Sequence, residues 1–375
     1  MKLSLSFLFI VLNVFVHAQD LLPFENTKAK WGYKNAAGQI KIAPKYDAAG
    51  YFNEGFAVVN IGGENGVNGK NGIINAAGKE VLVPTSKYDF IEFFVGGRAM
   101  VGYNSNGGKS KSEYGFINKA GKEINVIRFS EAHNFSEGFA AVKSEGKGWG
   151  YIDTTGKQIV PFKYYEANKF LNNLALVNAY KGGFGFIDKS GNEIIPCQFE
   201  FAKSFSEDLA PVGSGGTQFG GGKWGYIDKT GKVIIPLQYE YANEISNGVA
   251  VVTKDKKCGG LDKTGKEIIP FKYDNIWSFY EGHAVAWLND KVGFINNKGD
   301  VAVPFEYDGV GGGTEGFSEG LAAVRIGDKY GYVDKNGKLV IPLKYESAWS
   351  FYNGRGEVGL NGKTIFINKQ GKLLL

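Results

Sequence analysis

The sequence predicts an all-β protein built from tandem repeats of about 34–43 residues, and three observations carry that prediction. One phrase recurs: a short apolar strand, an Asx-x-x-Gly turn and a second apolar strand closed by Pro. It starts at Trp31, Asn71, Tyr114, Trp149, Phe184, Trp224, Cys258, Val292, Tyr330 and Thr364. Self-similarity at such a period is the signature of a repeat architecture. Glycine supplies 55 of 375 residues without an every-third-residue period, so it marks turns and not a collagen-like rod. Apolar side chains within the phrase follow the period of two that strands require.

The first strand is represented by "WGYID", residues 224–228, with Trp224 and Tyr226 on one face and Gly225 and Ile227 on the other. Neither face is polar, which predicts that neighbouring units cover both. Beside Trp31, Trp149 and Trp224, the glycines Gly32, Gly150 and Gly225 leave room for a neighbouring backbone. The turn follows. All ten units place Asp or Asn first and Gly three residues later, as in Asp153 with Gly156, Asp228 with Gly231 and Asp334 with Gly337. The Asx side chain can accept from turn amides, and glycine supplies a positive φ, so these carboxylates read as structural.

The second strand, "KVIIP" at 232–236, ends at a proline in eight of nine full units. Proline cannot donate to a ladder, so it is predicted to mark where pairing stops. Next comes a connection such as "YDNIWSFYEG" at 273–282, read as irregular, with Tyr273 and Phe279 plugging the layer. A third strand, "VAVV" at 249–252, leads back to the next Trp-Gly strand. Each unit is thus expected to be a three-stranded antiparallel meander. Long insertions at 60–70, 102–113 and 213–223 all follow the third strand and are expected on one rim, where repeat proteins often bind. Polar loop tips tolerated at a surface are the simpler reading and the favoured one.

The phrase "WGYIDKTGK…IIP…Y…F.EG.A.V" resembles the WG-containing repeat family of bacterial proteins, also called the KWG repeat, over residues 31–375. Only Trp31, Trp149 and Trp224 keep the literal pair; Tyr114, Phe184 and Tyr330 substitute another aromatic, while Asn71, Cys258, Val292 and Thr364 depart from it. The resemblance implies a β-rich repeat with no established catalytic role.

Residues 1–18 read as a secretory signal: one lysine, an apolar run from Leu3 to Val16, and Val16-His17-Ala18 before an expected cleavage. Residues 19–30 form an expected N-terminal strand or cap, and 31–375 the array of nine full units and a truncated tenth. No later segment has the run of about 18 apolar residues that a membrane span needs. The expected location is therefore periplasmic, cell-surface or extracellular. Cleavage removes only Lys2, taking the formal charge from +5 to +4, with no basic block to suggest nucleic acid.

Residues 21–30 stand where a third strand should precede Trp31, and residues 364–375 supply only first and second strands. The termini are complementary fragments of one unit. An open, curved or superhelical array is the expectation for so many modules; a closed propeller-like ring is the alternative.

Little in the chain suggests chemistry. His133 and His283 occupy ordinary repeat positions without a partner motif, and Cys197 and Cys258 read as small apolar fillers. Gly311, Gly313 and Gly316 match G-x-G-x-x-G but lead into a strand, where no helix N-terminus stands behind a phosphate. No cofactor or metal is expected. Acidic residues recur at Asp47, Asp89, Glu200, Glu240, Asp274, Asp308 and Glu346, and again at Glu54, Glu137, Glu281 and Glu319, with lysines at Lys79, Lys122, Lys157, Lys232, Lys266, Lys338 and Lys372. Stacked units turn these into stripes, either solvated edges or a surface for a charged polymer.

Three functions are consistent with these features. The leading one is an exported non-enzymatic scaffold that binds a protein or extended polymer at the cell envelope. The second is a carbohydrate-binding module using ring faces of Trp31, Trp149, Trp224, Trp277, Trp287 and Trp349. The third is a hydrolase with a carboxylate site between units.

Overall fold

The computed structural model describes residues 21–63, 69–103, 113–124, 128–216, 222–313 and 316–374. The expected signal segment and parts of the three long insertions lie outside the described residues. Those residues contain strands and turns and no helix, so none is long and apolar enough to cross a membrane. Two compact units are present, Met1–Phe170 and Leu171–Leu375.

Both units are made of small antiparallel sheets whose strands follow sequence order. In the second unit, the sheet of Phe201–Ala202, Leu209–Ser214, Lys223–Asp228 and Val233–Tyr239 precedes one of Tyr241–Ala242, Ala250–Lys254, Lys257–Leu261 and Glu267–Tyr273. In the first, Tyr88–Ile91, Arg98–Tyr103 and Glu113–Asn118 form a sheet. Then Glu131–Ala132, Phe139–Ser144, Gly148–Asp153 and Gln158–Ala167 follow in order. Leu22–Glu25 pairs with Trp31–Lys34, in the place of a third strand.

The sheets are out of phase with the sequence repeat. The third strand of one repeat pairs with the first strand of the next, as Val212 faces Gly225 and Ala286 faces Gly293. In most sheets the connection read as irregular supplies a two-residue opening strand, for example Tyr241–Ala242 against Val252 and Thr253. The three-stranded meander therefore gains a short fourth strand, which extends pairing along an otherwise bare edge.

Proline interrupts the ladder without ending the strand. Trp224 pairs with Tyr239 and Tyr226 with Ile235, so residues 236–238, Pro236 among them, bulge opposite Gly225 alone. The same shift occurs opposite Gly150, Gly259, Gly293 and Gly331. The bulge crosses directly over the glycine: a Cβ on Gly225 would lie 2.7 Å from Pro236 C and 2.8 Å from Leu237 N. Proline suits this place because its missing N–H has no partner to lose.

The first strand Lys223–Asp228 is buried on both faces by different neighbours. Trp224 and Tyr226 pack with Tyr239, Ala242, Ile245 and Val252, toward the following sheet. Ile227 packs with Leu176, Phe186, Ile195 and Phe205, toward the preceding one. Full burial of Tyr226 and Ile227 contributes roughly 1.5–3 kcal/mol each. Polar stitches reinforce the seam. Tyr226 Oη donates to Asn243 O at 2.6 Å, Tyr332 Oη to Trp349 O at 2.8 Å and Ser206 Oγ to Ile245 O at 2.6 Å.

Candidate functional site

The turn carboxylates hold backbone. Asp228 Oδ1 accepts from Thr230 N at 2.9 Å and Lys232 N at 3.1 Å, and Asp153 and Asp334 accept from the equivalent amides. Gly156, Gly231 and Gly337 close these turns with φ of 85°, 86° and 79°. The Thr230 hydroxyl, followed by the two amides, holds the Asp228 carboxyl below its ordinary range, and Thr155 does the same for Asp153.

The acidic stripes have similar work. Asp274 accepts from Lys257 Nζ and Asn289 N, and Asp308 from Lys291 Nζ and Gly327 N, each capping the turn between its third and first strands. The second series clamps one sheet to the next. Glu281 accepts from Glu319 N at 2.7 Å and Gly320 N at 3.0 Å and pairs with Lys335 at 3.0 Å. Glu319 in turn accepts from Gly354 N at 3.0 Å and pairs with Lys369 at 3.1 Å. Glu54 repeats the arrangement with Gly96, Gly97 and Lys119. Burial alone would raise the Glu281 carboxyl; Lys335 and the amides bring it below the usual carboxylate range instead. The partner lysines follow the Asx residue, a position sequence reasoning did not single out.

Most conspicuous aromatics are core. Trp149 and Trp224 are 5% and 2% exposed. Trp31, Trp277 and Trp287 are half-buried, while Trp349 is 50% exposed. Cys258 is buried, with Sγ 3.5 Å from Thr253 Oγ1. Gly311–Gly313 lie against the next sheet, where Gly312 N donates to Ala348 O at 2.9 Å and Ser350 N to Gly312 O at 3.0 Å. They serve close backbone approach. Among the described residues no cluster of three His, Cys, Asp or Glu side chains is placed to hold a metal.

One cleft stands apart from this code. A recess of about 330 Å³ in the first unit is lined by Phe90, Glu92, Met100, Tyr114, Glu131, Ala132, His133 and Trp149. It lies in the seam between the 88–118 sheet and the 131–167 sheet. Phe90 and Tyr114 meet with ring centroids 6.1 Å apart on one side, and His133 and Trp149 at 4.9 Å on the other. Asn134 Nδ2 donates to Glu92 Oε2 at 2.5 Å, and Lys143 Nζ pairs with Glu131 at 2.5 Å while standing 5.9 Å over the Trp149 ring. Protein crowding around the imidazole lowers the His133 pKa from its ordinary value, with Glu131 opposing. The arrangement sets ring faces beside carboxylates.

The short opening strand fixes the cleft, since residues three and five of each connection project into the seam. In the first unit these are Phe90 and Glu92, then Glu131 and His133; in the second, Phe201 and Lys203, then Tyr241 and Asn243. Sequence reasoning saw His133 as a substitution within a repeat, named Trp149 as a repeat residue and candidate ring face and Tyr114 as a unit start, and did not single out Phe90, Glu92 or Glu131, though column-by-column comparison of the connections carries the signal.

No curated protein sequence matches the chain. Among solved structures it is similar to BamB from Moraxella catarrhalis, with 11% identity over 75% of this chain and 94% of that one, TM-score 0.38. A eukaryotic initiation factor is 12% identical over 94% of each chain, TM-score 0.49. Hsv2 from Kluyvelomyces marxianus is 10% identical over 65% of this chain and 89% of that one, TM-score 0.34. The model of the WG containing repeat matches residues 31–64, 72–106, 114–147, 149–179, 184–217, 224–258, 261–291, 293–330 and 330–363. With its bulge glycines, Asx turns and seam-packed first strands recurring in register through those segments, the chain belongs to the WG containing repeat family.

Proposed function

We propose that the protein is an exported, non-enzymatic scaffold that engages a protein partner at the cell envelope through the Phe90–Trp149 cleft. The observation that carries this reading is the cleft itself, lined by the rings of Phe90, Tyr114, His133 and Trp149 beside the carboxylates of Glu92 and Glu131. The remaining carboxylate series are engaged in turns and clamps, which favours one localised docking place over a charged stripe. A hydrolase fits poorly: Glu131 is exposed and ion-paired with Lys143, the opposite of the dry setting a general acid needs. Photo-crosslinking from position 90, with p-benzoylphenylalanine in place of Phe90, tests the scaffold in an envelope fraction. A discrete polypeptide adduct is expected, and absence of any such adduct overturns the reading. Sequencing of the exported chain should begin at Gln19; retention of residues 1–18 in the cytoplasm overturns the export reading.

A carbohydrate site keeps one supporting observation. Trp349 is 50% exposed and Tyr352 is 76% exposed, so ring faces are available in the second unit. A glycan array comparing the native chain with Trp349→Ala tests it; signals indifferent to that change remove this reading.

A further inference from the structure

The molecule contains its own occupied version of the cleft. In the second unit the seam position corresponding to Glu92 is Lys203, and its neighbours Phe90, Tyr114, Glu131 and His133 correspond to Phe201, Trp224, Tyr241 and Asn243. Lys203 Nζ donates to Tyr241 Oη at 2.8 Å and Asn243 Oδ1 at 3.1 Å. It lies 4.2 Å from the Tyr241 ring centroid and 5.7 Å from that of Trp224. An ammonium group over two rings thus completes that seam.

In the first unit the same seam has the sign reversed. Glu92 stands where the lysine would be, and a second carboxylate, Glu131, replaces the tyrosine that helps to hold it. Of the two rings over which Lys203 stands, the Trp224 counterpart, Tyr114, is kept, with Phe90 beside it at 6.1 Å between ring centroids. Lys143 balances Glu131 from the rim, whereas Glu92 accepts from the neutral Asn134 amide. The recess therefore keeps ring faces suited to a cation and has exchanged its internal cation for an anion.

We infer that this cleft receives an arginine side chain from a protein partner, whose guanidinium takes the place that Lys203 Nζ fills in the second unit. Resting on the scaffold reading, the inference names the chemistry of its contact. A planar guanidinium can lie on an aromatic ring and direct its N–H groups to carboxylates in the ring plane, which a lysine cannot do as well. The first unit already contains that combination: Arg128 Cζ is 3.4 Å from the Tyr103 ring centroid while Arg128 Nη2 is 3.3 Å from Glu123 Oε2.

The test uses the full chain and the peptide Ac-Gly-Arg-Gly-NH2, with its uncharged citrulline counterpart as control, followed by NMR shifts of amides at 90–92 and 131–133. Saturable shifts with the arginine peptide are expected, with binding weaker by on the order of tenfold or more for citrulline. Glu92→Lys supplies the internal cation and should weaken binding by a similar factor while preserving the thermal midpoint. Glu131→Gln serves the same purpose should the lysine variant fail to fold. Equal binding of the two peptides, or binding unchanged in both variants, overturns the inference. A crosslinked partner that persists in Glu92→Lys and ignores the arginine peptide leaves the scaffold standing and removes the arginine contact. Specific peptide binding with no crosslinked polypeptide does the reverse.

Discussion

At Gly225 the missing Cβ decides whether the Pro236 bulge can close over the first strand. Gly225→Ala would drive its methyl into backbone at under 3 Å, and backbone cannot swing aside as a side-chain tip can. The expected loss is about 3 kcal/mol or more in denaturant unfolding. Gly248→Ala is the contrasting variant: its φ is +79° but nothing lies within 4 Å, so only conformational strain of about 1–2 kcal/mol is expected. His133 gives the second prediction at this scale. Its folded pKa lies below the ordinary value, so the unfolded chain takes up the proton first, and stability present above about pH 6.5 falls as pH drops. Thermal midpoints between pH 8 and pH 5 should show this decline in the native chain and a smaller one in His133→Gln. Glycine was legible at these positions and its partner was not. The literal pair drew attention to tryptophan, whereas the second residue is Gly in nine of ten units and the first varies from Trp to Asn, Cys and Val. The exception is Ile365 in the tenth unit.

Turns and clamps define the element scale. Asp153, Asp228 and Asp262 have carboxyls held low chiefly by the hydroxyls of Thr155, Thr230 and Thr264. That stabilisation is complete above the unfolded carboxyl value of about 3.9 and disappears as pH falls through the lower folded value. Converting all three to Asn should flatten stability against pH between about 4 and 2. The turns themselves should survive, since Asn35, Asn75 and Asn296 accept the same amides. The clamps give a separate expectation. Glu281→Ala releases the amides of Glu319 and Gly320, which should exchange hydrogen about tenfold faster while the Tyr226 region stays unchanged. The Asx-Gly turn could be read from sequence because donor and acceptor lie within four residues. The clamps could not, because Glu281 and Gly320 are 39 residues apart and only sheet stacking brings them together.

On the scale of the whole molecule, stability should behave as a sum of seams between neighbouring sheets. Leu321, Tyr332, Ile341 and Tyr345 share a cluster with Ala348, Phe351, Val358 and Ile367. Ending the chain at Glu346 removes one side of that cluster. The shortened protein should bind an apolar dye and lose helix-free circular dichroism signal at a lower temperature, with the 201–239 sheet protected longest within the second unit. Repetition made the fold class and the period legible. The phase of the sheets, the short opening strand and the cleft were not, because each depends on which repeat faces which across a seam.

The seam position shared by Glu92 and Lys203 has a genetic consequence. Lysine and glutamate codons differ by one nucleotide, so one point change reverses the charge at this seam position, which lies outside the bulge, the turn and the clamp. A gene that lengthens by copying modules can therefore acquire or silence docking places one codon at a time, while every copy continues to fold.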